Sequence, residues 1–534
     1  MNKKIIFALV IVSLISFVLT VWNFRVTSPP CFNSDEAAFA YNAYSILKTG
    51  RDEYGTFMPL RLKSFGDYKM PLLSYFTVPF IALFGLTEQG ARAPNAFLSL
   101  FFPIAVFFLT QELFRKKYVS LLAALLSALS LGLHIVARHE HEAYLAAFLT
   151  ITTFTFLLRF LKKKTVLGAV WLGVSLFLML FAYHPGRLFA GLFLGGVFVY
   201  AFQTKTWKQN ISVFTLIIAV FALFSISDLI YKPERLQSLL FFSNPGIQLK
   251  VQELKTEGGI RYLYNPLIVG VRDIAFNHLN YFSPQFLLQN GDSNNRFGYQ
   301  GMGLITPIEY IFFFIGIYYA FKKKEEWRFV LLFILFLSPL SGSLSWATDS
   351  LTRTLFTLVP ISTLAAYGIV QTYVSTRKTW ITYAIGIVIV GTFGYFLLMQ
   401  WDFYLFHYPK RLITIHAWQC GYKEVGTYIK KNYNRFDRFY ITRDVGMPYI
   451  FTLFYLQYDP ASYQKQARLS APDEYGFGQV EGYDKFIFNY KDPNKVPYRS
   501  AIIGSRDDVR SAAPTYKVTY IAPQGEPMFG IIEK

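Results

Sequence analysis

Along the first 400 residues, apolar windows of about 18 to 22 nearly uncharged positions recur, and polar residues collect in the gaps between them. The windows fall at about 5–23, 90–113, 119–137, 143–161, 166–183, 188–203, 210–229, 306–321, 327–345, 354–375 and 380–400. At ~1.5 Å per helical residue each is long enough for a ~30 Å hydrocarbon layer. The pattern therefore predicts a polytopic α-helical membrane protein with about eleven transmembrane helices. From about residue 401 the apolar runs shrink to five or six residues, and Tyr, Asp, Lys and Pro become frequent, which predicts a small soluble α/β domain. There Glu424 to Asn432 reads as a helix, and Arg438 to Thr442, Lys485 to Tyr490, Ser500 to Gly504 and Tyr516 to Ile521 read as strands. The expected division is a membrane domain over 1–400, with a long first loop at about 24–89, and a soluble domain over 401–534.

Composition strengthens the membrane reading. The chain is 53% hydrophobic and only 16% charged, against roughly 25% charged in an average soluble domain. A net charge of +19 raises the question of nucleic acid, but a phosphate-binding protein gathers its cations on one soluble face. Here they sit between apolar runs. Lys3-Lys4, Arg115 to Lys117, Arg159 with Lys162 to Lys164, Lys205 and Lys208, Lys322 to Lys324, and Arg377-Lys378 all occupy alternate gaps, as cytoplasmic anchors do. The expectation is a cell-membrane protein with its N-terminus cytoplasmic and its C-terminal domain extracytoplasmic. Met1 to Trp22 has the charge and length of a signal anchor without a cleavage site, and is read as the first helix. The semi-apolar stretch Pro71 to Phe84, with Pro71 and Pro79, is short for a span and is read as an interfacial or re-entrant helix. Two cysteines, Cys31 and Cys420, both fall on the expected outer side; whether they pair stays open.

Candidate chemistry clusters at the expected outer helix ends. Asp35-Glu36 follows the first helix and precedes an apolar-periodic segment; the plain alternative is an N-cap in which Ser34 or Asp35 satisfies free amides of a helix starting near Glu36. Lys69 stands beside Pro71-Leu72, where an ammonium at headgroup depth can meet a lipid phosphate. The segment Arg138 to Tyr144 holds His139, Glu140, His141 and Glu142, but successive helical neighbours point apart and do not make a zinc site by themselves. A carboxylate from it, meeting Asp35 across the bundle, would hold a divalent ion or orient a hydroxyl. Tyr183 to Arg187, Asp292 to Arg296, and Asp349 with Arg353 place further ionisable groups at helix ends, where anchoring is the plain alternative.

The motifs Asp35-Glu36, Asp67-Tyr68-Lys69-Met70-Pro71-Leu72, Arg92-Ala93-Pro94 and Arg138 with Glu142 resemble glycosyltransferase family 39. That family includes the protein O-mannosyltransferases and the aminoarabinose transferases of lipid A, all of the GT-C membrane fold. The resemblance covers about residues 1–400 and implies inverting transfer of a sugar from a polyprenyl phosphate to an extracytoplasmic protein, lipid or cell-wall glycan. It implies that Asp35, with Glu36 as the second member of its motif, is catalytic. It implies that Lys69 binds the donor phosphate with Arg92, Arg187, Arg296 and Arg353, and that Asp67, Arg138 and Glu142 orient the acceptor or a metal. The sequence departs from the motif at Met70, where the family has proline, and at Tyr68, where some members carry a carboxylate. A divalent cation, held by Asp35 and Glu142, is therefore left open. The expected partners are the lipid-linked donor, membrane lipids and the acceptor. A transporter or flippase of lipid-linked sugars is the alternative, although no symmetry between chain halves supports it.

Overall fold

The computed structural model describes the whole chain except residues 1, 25–26, 66, 232–240, 244, 347, 376–378, 473–477, 489–494 and 511–514. Packing divides it into two compact units. The first comprises Met1–Trp22, Asn95–Ala137 and Glu142–Tyr404; the second comprises Asn23–Pro94, Arg138–His141 and Leu405–Lys534.

In the first unit every apolar window of the sequence is helical. The elements run Lys3–Val21, Glu88–Phe114 (whose first turns belong to the second unit), Lys117–Leu129 with Leu131–Ala137, Glu142–Lys162, Val166–Ala182, Gly186–Thr204, Trp207–Tyr231, Pro307–Lys322, Arg328–Leu337, Leu358–Ser375 and Thr379–Asp402. Among the described residues seven helices are long and apolar enough to cross a membrane individually, or eight if the bent pair at Ser130 counts as one. The others stop short: Val166–Ala182 has 17 residues, Pro307–Lys322 has 16 and Arg328–Leu337 has 10. At ~1.5 Å per residue these fall below the ~30 Å layer. The chain is a multi-pass membrane protein.

Local chemistry explains the 55° bend of the pair. The Leu304 carbonyl enters the break, accepting from Gly132 N at 3.0 Å and from Ser130 Oγ at 3.3 Å. A Cβ on Gly132 would lie 2.9 Å from Leu304 Cβ, so glycine is what admits the intruding chain. Glycine also sets the closest helix pair. A Cβ on Gly316 would meet the Leu364 carbonyl at 1.9 Å, and one on Gly368 would meet the Phe312 carbonyl at 2.3 Å, so helices 307–322 and 358–375 touch backbone to backbone.

Several basic clusters converge. Lys116 Nζ reaches Glu325 at 2.7 Å and Arg115 reaches Glu326 at 3.4 Å. Arg159 and Lys162 share Glu112 at 2.8 and 3.0 Å, and Lys162 lies over the Trp327 ring. The gaps at 115–117, 162–164 and 322–327 thus meet at one end of the helices, as the charge pattern requires of gaps on one side. Arg377-Lys378 lies outside the described residues.

The second unit is built on a seven-stranded mixed sheet. Its strands are β3 (Arg438–Ile441), β4 (Arg468–Pro472), β5 (Gly478–Tyr483), β6 (Phe486–Ile487), β7 (Ser500–Ser505), β8 (Val518–Ile521) and β9 (Phe529–Glu533), numbered after a hairpin of β1 (Leu62–Ser64) and β2 (Asp67–Lys69). The order is β4-β5-β6-β3-β7-β9-β8; β3 pairs in parallel with β6 and β7, and the other pairs are antiparallel. The predicted helix and all four predicted strands are found, though Asn489 and Tyr490 lie outside the described residues.

The aromatic core of this unit joins distant parts of the chain. Phe32, Tyr41 and Phe65 pack with Trp418, Tyr422, Tyr449, Phe454 and Tyr463 in one buried cluster. Phe32 stacks on Phe454 with ring centroids 4.5 Å apart. Tyr422 stacks on Phe451 at 3.9 Å. Such pairs add about 0.5–1.5 kcal/mol each beyond burial. A disulfide, Cys31–Cys420, closes the same junction across 389 residues of sequence. The helix Leu72–Phe84 belongs to this unit and has 13 residues, too few to span, with Ser74 Oγ donating to the Phe39 carbonyl at 3.0 Å.

Replacing Cys420 by Ser is expected to lower the stability of the second unit by about 2–4 kcal/mol. Melting of the purified chain with and without reductant measures it. Alkylation mass spectrometry showing two free thiols without reduction would remove the basis for the expectation.

Candidate active site

The segment that carries the acidic pair folds as a capped helix, Ser34–Thr49. The cap is Asn33, ahead of the Ser34 or Asp35 that the sequence suggested. Its Oδ1 accepts from Asp35 N at 2.9 Å and Glu36 N at 3.1 Å, while Glu36 returns a bond to Asn33 N at 3.2 Å. This closed box satisfies amides at the helix start, and it frees the Asp35 carboxylate from capping. Adjacent helical residues point apart, and the two acids accordingly have opposite surroundings.

Glu36 is fully buried. Arg92 grips it through Nε at 2.7 Å and a second nitrogen at 3.0 Å, the two-pronged geometry that guanidinium favours. The Glu140 amide donates to the same carboxylate at 3.1 Å. Arg92 also donates to the Cys31 carbonyl at 2.8 Å and lies over the Phe32 ring. Both Arg92 and Glu36 are thus held inside the second unit.

Asp35 is about one-third exposed and receives the Lys69 ammonium at 2.7 Å. Lys69 ends β2, and its Nζ lies over the rings of Phe39 at 4.9 Å and Phe65 at 4.7 Å. The aromatic faces hold the cation while leaving it only partly desolvated. Asp67 pairs with Ser64 in the hairpin; its side chain lies outside the described residues. Arg138 is fully buried, donating to the Ser28 carbonyl at 2.8 Å and to Thr27 Oγ1 at 3.0 Å. Thr77 Oγ1 donates to Glu140 at 2.8 Å.

The remaining candidates lie in the first unit. Glu142 opens the helix Glu142–Lys162, and its charge acts on the Tyr183 phenol together with those of Arg353 and Asp292. Arg353 donates to Ser345 Oγ. Arg187 lies over Phe224, and Arg296 lies over Phe297 in the loop that follows helix Pro266–Asn280. Asp292 is buried, accepting from Asn294 N at 2.8 Å and Leu351 N at 2.6 Å, and burial pushes its carboxyl up to about 7. Among the described residues no three His, Cys, Asp or Glu side chains gather around one point.

Glu53 is a buried acid that no local pattern announces. Its side chain is buried in the second unit, accepting from the Tyr449 hydroxyl at 3.3 Å, and Oε2 has no hydrogen-bond partner among the described residues. Burial, and then the neighbouring Asp52 charge, push its carboxyl up to about 8, against the opposing Tyr449 bond and Lys69 charge. An Asp-Glu pair ahead of a Tyr-Gly turn carries no local signal of burial; it is packing with distant residues such as Tyr449 that encloses it.

Two predictions follow from these environments. Arg92→Ala leaves the Glu36 charge buried and unpaired, and should destabilise the second unit by about 3–5 kcal/mol; chemical unfolding measures it, and a loss below about 1 kcal/mol would contradict it. Glu53 keeps its proton to higher pH folded than unfolded, so the fold loses stability as pH rises from about 4.5 through about 8, at up to ~1.4 kcal/mol per unit. Glu53→Gln should flatten the fall in melting temperature between about pH 5.5 and 8.5.

No family model matches the sequence, and no curated protein matches it. Solved structures do. The apo form of ArnT from Cupriavidus metallidurans superposes with a TM-score of 0.55 at 12% identity, covering 99% of this chain and 97% of that one. The same protein bound to undecaprenyl phosphate gives 0.54. The oligosaccharyltransferase AglB from Archaeoglobus fulgidus, in complex with an inhibitory peptide and a dolichol-phosphate, gives 0.54 at 13% identity over 100% of this chain and 74% of that one. Against the apo form of the Archaeoglobus fulgidus oligosaccharyltransferase the TM-score is 0.53 at 15% identity; the match covers 85% of this chain and spans 64% of that longer one. The likenesses show a fold: this chain is a polytopic helical membrane protein of the GT-C glycosyltransferase fold with a C-terminal α/β region.

Proposed function

We propose that this protein is an inverting glycosyltransferase of the family 39 kind, moving a sugar from a polyprenyl-phosphate donor to an extracytoplasmic acceptor. The observation that carries the reading is the Asp35–Lys69 pair, partly open and 2.7 Å apart, beside a sealed Glu36–Arg92 pair. The fold shared with ArnT and AglB supports it, since those proteins were captured with undecaprenyl phosphate and dolichol-phosphate.

In this reaction the acceptor oxygen attacks the anomeric carbon and gives its proton to Asp35 Oδ, while the bond from that carbon to the phosphate oxygen breaks on the opposite face. The leaving polyprenyl phosphate gains a negative charge and needs neutralisation more than a proton, which Lys69 supplies. Arg187, Arg296 and Arg353 are the further cations assigned to the donor. Glu36 and Arg92 act by fixing the helix that carries Asp35, Arg138 holds the Thr27–Ser28 segment ahead of it, and Glu142 and Asp67 are assigned to the acceptor.

The Cys31–Cys420 disulfide favours an oxidising side for the second unit, and the convergent basic clusters favour the cytoplasmic side for their end of the first.

The test is transfer from radiolabelled polyprenyl-phosphate sugars in membranes. Wild type should label an acceptor, Asp35→Asn should lower kcat by about 10²-fold or more, and Lys69→Ala should lower kcat/KM with intact expression. Transfer by both variants at the wild-type rate would sink the site; label that crosses the bilayer without transfer would favour the transporter.

A further inference from the structure

A cavity lies at the basic end of the first unit. It has a volume of about 560 Å³ and is walled by the end of helix Glu142–Lys162 and the start of helix Val166–Ala182. None of its residues belongs to the sugar-transfer site proposed above.

The wall is chemically divided. On one side stand Arg159, Lys162 and Lys163 with a single carboxylate, Glu112, leaving two positive charges uncompensated by the lining. Glu112 is already taken by Arg159 and Lys162, so Lys163, which is exposed, is the cation most available to a newcomer. The N-terminal end of helix Val166–Ala182, capped by Thr165, closes the same side and adds the positive end of its dipole. On the other side Phe156 stacks on Trp171 at 6.0 Å, and Leu167 and Trp171 stay 65% and 50% exposed. A free phosphate would use only the first half and a neutral lipid only the second. A cationic socket continuous with an aromatic and aliphatic wall on a membrane helix matches a headgroup joined to acyl chains.

We propose that this cavity is a binding site for an anionic glycerophospholipid, with the phosphate at Lys163 and Arg159 and an acyl chain along Leu167 and Trp171. Charge complementarity selects an anionic lipid: the lining carries two excess positive charges and the ligand brings at least one negative.

The test uses the purified full-length chain in detergent, exchanged with phosphatidylglycerol or phosphatidylcholine and read as bound lipid by native mass spectrometry. Phosphatidylglycerol should be retained about tenfold over phosphatidylcholine. Lys163→Gln should lower its retention about fivefold, the effect of one cation near a headgroup. Leu167→Asp should lower it further, with the melting temperature of both variants unchanged because both side chains are exposed. Glycerol phosphate at millimolar concentration should not displace the lipid. Equal retention of the two lipids, or no change in either variant, overturns the proposal. Displacement by glycerol phosphate alone reassigns the site to free phosphate and overturns the lipid. Sugar transfer is measured separately, and its failure would leave this result standing.

Discussion

The second unit depends on one buried carboxylate. Glu36 has no access to water, and an isolated charge in such a place would be untenable. The fold answers with Arg92 from the start of helix Glu88–Phe114, the Asn33 amide from its own cap and the Glu140 amide from a distant segment. Three stretches of chain, far apart in sequence, are thereby tied to one side chain. The disulfide and the stacked Phe32–Phe454 rings then fasten the same stretch to the C-terminal residues. The helix start that presents Asp35 is fixed before any ligand arrives.

From this follows the contrast between neighbouring acids. Glu36 spends its hydrogen-bonding capacity on structure, and Asp35, one residue earlier, points to a cation held by aromatic faces. The cap position is what makes the difference. Had Asp35 capped the helix, its oxygens would be occupied by backbone amides; with Asn33 in that place, the carboxylate is left to Lys69. Arg92, which the resemblance assigns to phosphate, is engaged by Glu36 and the Cys31 carbonyl and holds the start of the helix that carries Asp35.

The membrane helices were legible because their signal is local: a run of apolar residues needs no partner to be recognised. Even so, length decided what pattern could not, since Arg328–Leu337 is apolar after its first residue yet too short alone. Strand β3 and strand β7 were legible for the same reason, as short buried β-branched and aromatic runs. Strands β4, β5 and β9 were not, because glycine and proline interrupt or flank them and their identity comes from neighbours across the sheet. The Asn33-x-x-Glu36 spacing did carry a capping-box signal that would have placed the helix start. By contrast nothing in the sequence pairs Cys31 with Cys420, or buries Glu53 against Tyr449. Both depend on contacts separated by nearly 400 positions.

In the transfer proposed above, the paired charges also account for why a base and a phosphate-binding lysine would touch each other at rest. Before transfer, Asp35 and Lys69 cancel, and a phosphodiester donor brings one negative charge. Under that proposal, when the acceptor proton reaches Asp35 its charge disappears, and the Lys69 ammonium is left uncompensated at the moment the departing phosphate acquires its second charge. The summed charge of acid, ammonium and phosphate is the same before and after. In a partly desolvated site, where an unbalanced charge is expensive, a base that releases its counter-cation on protonation couples the two bond changes electrostatically. A base paired as tightly as Glu36 is with Arg92 could not do this, because its guanidinium is held by the fold on both prongs and has nowhere to go.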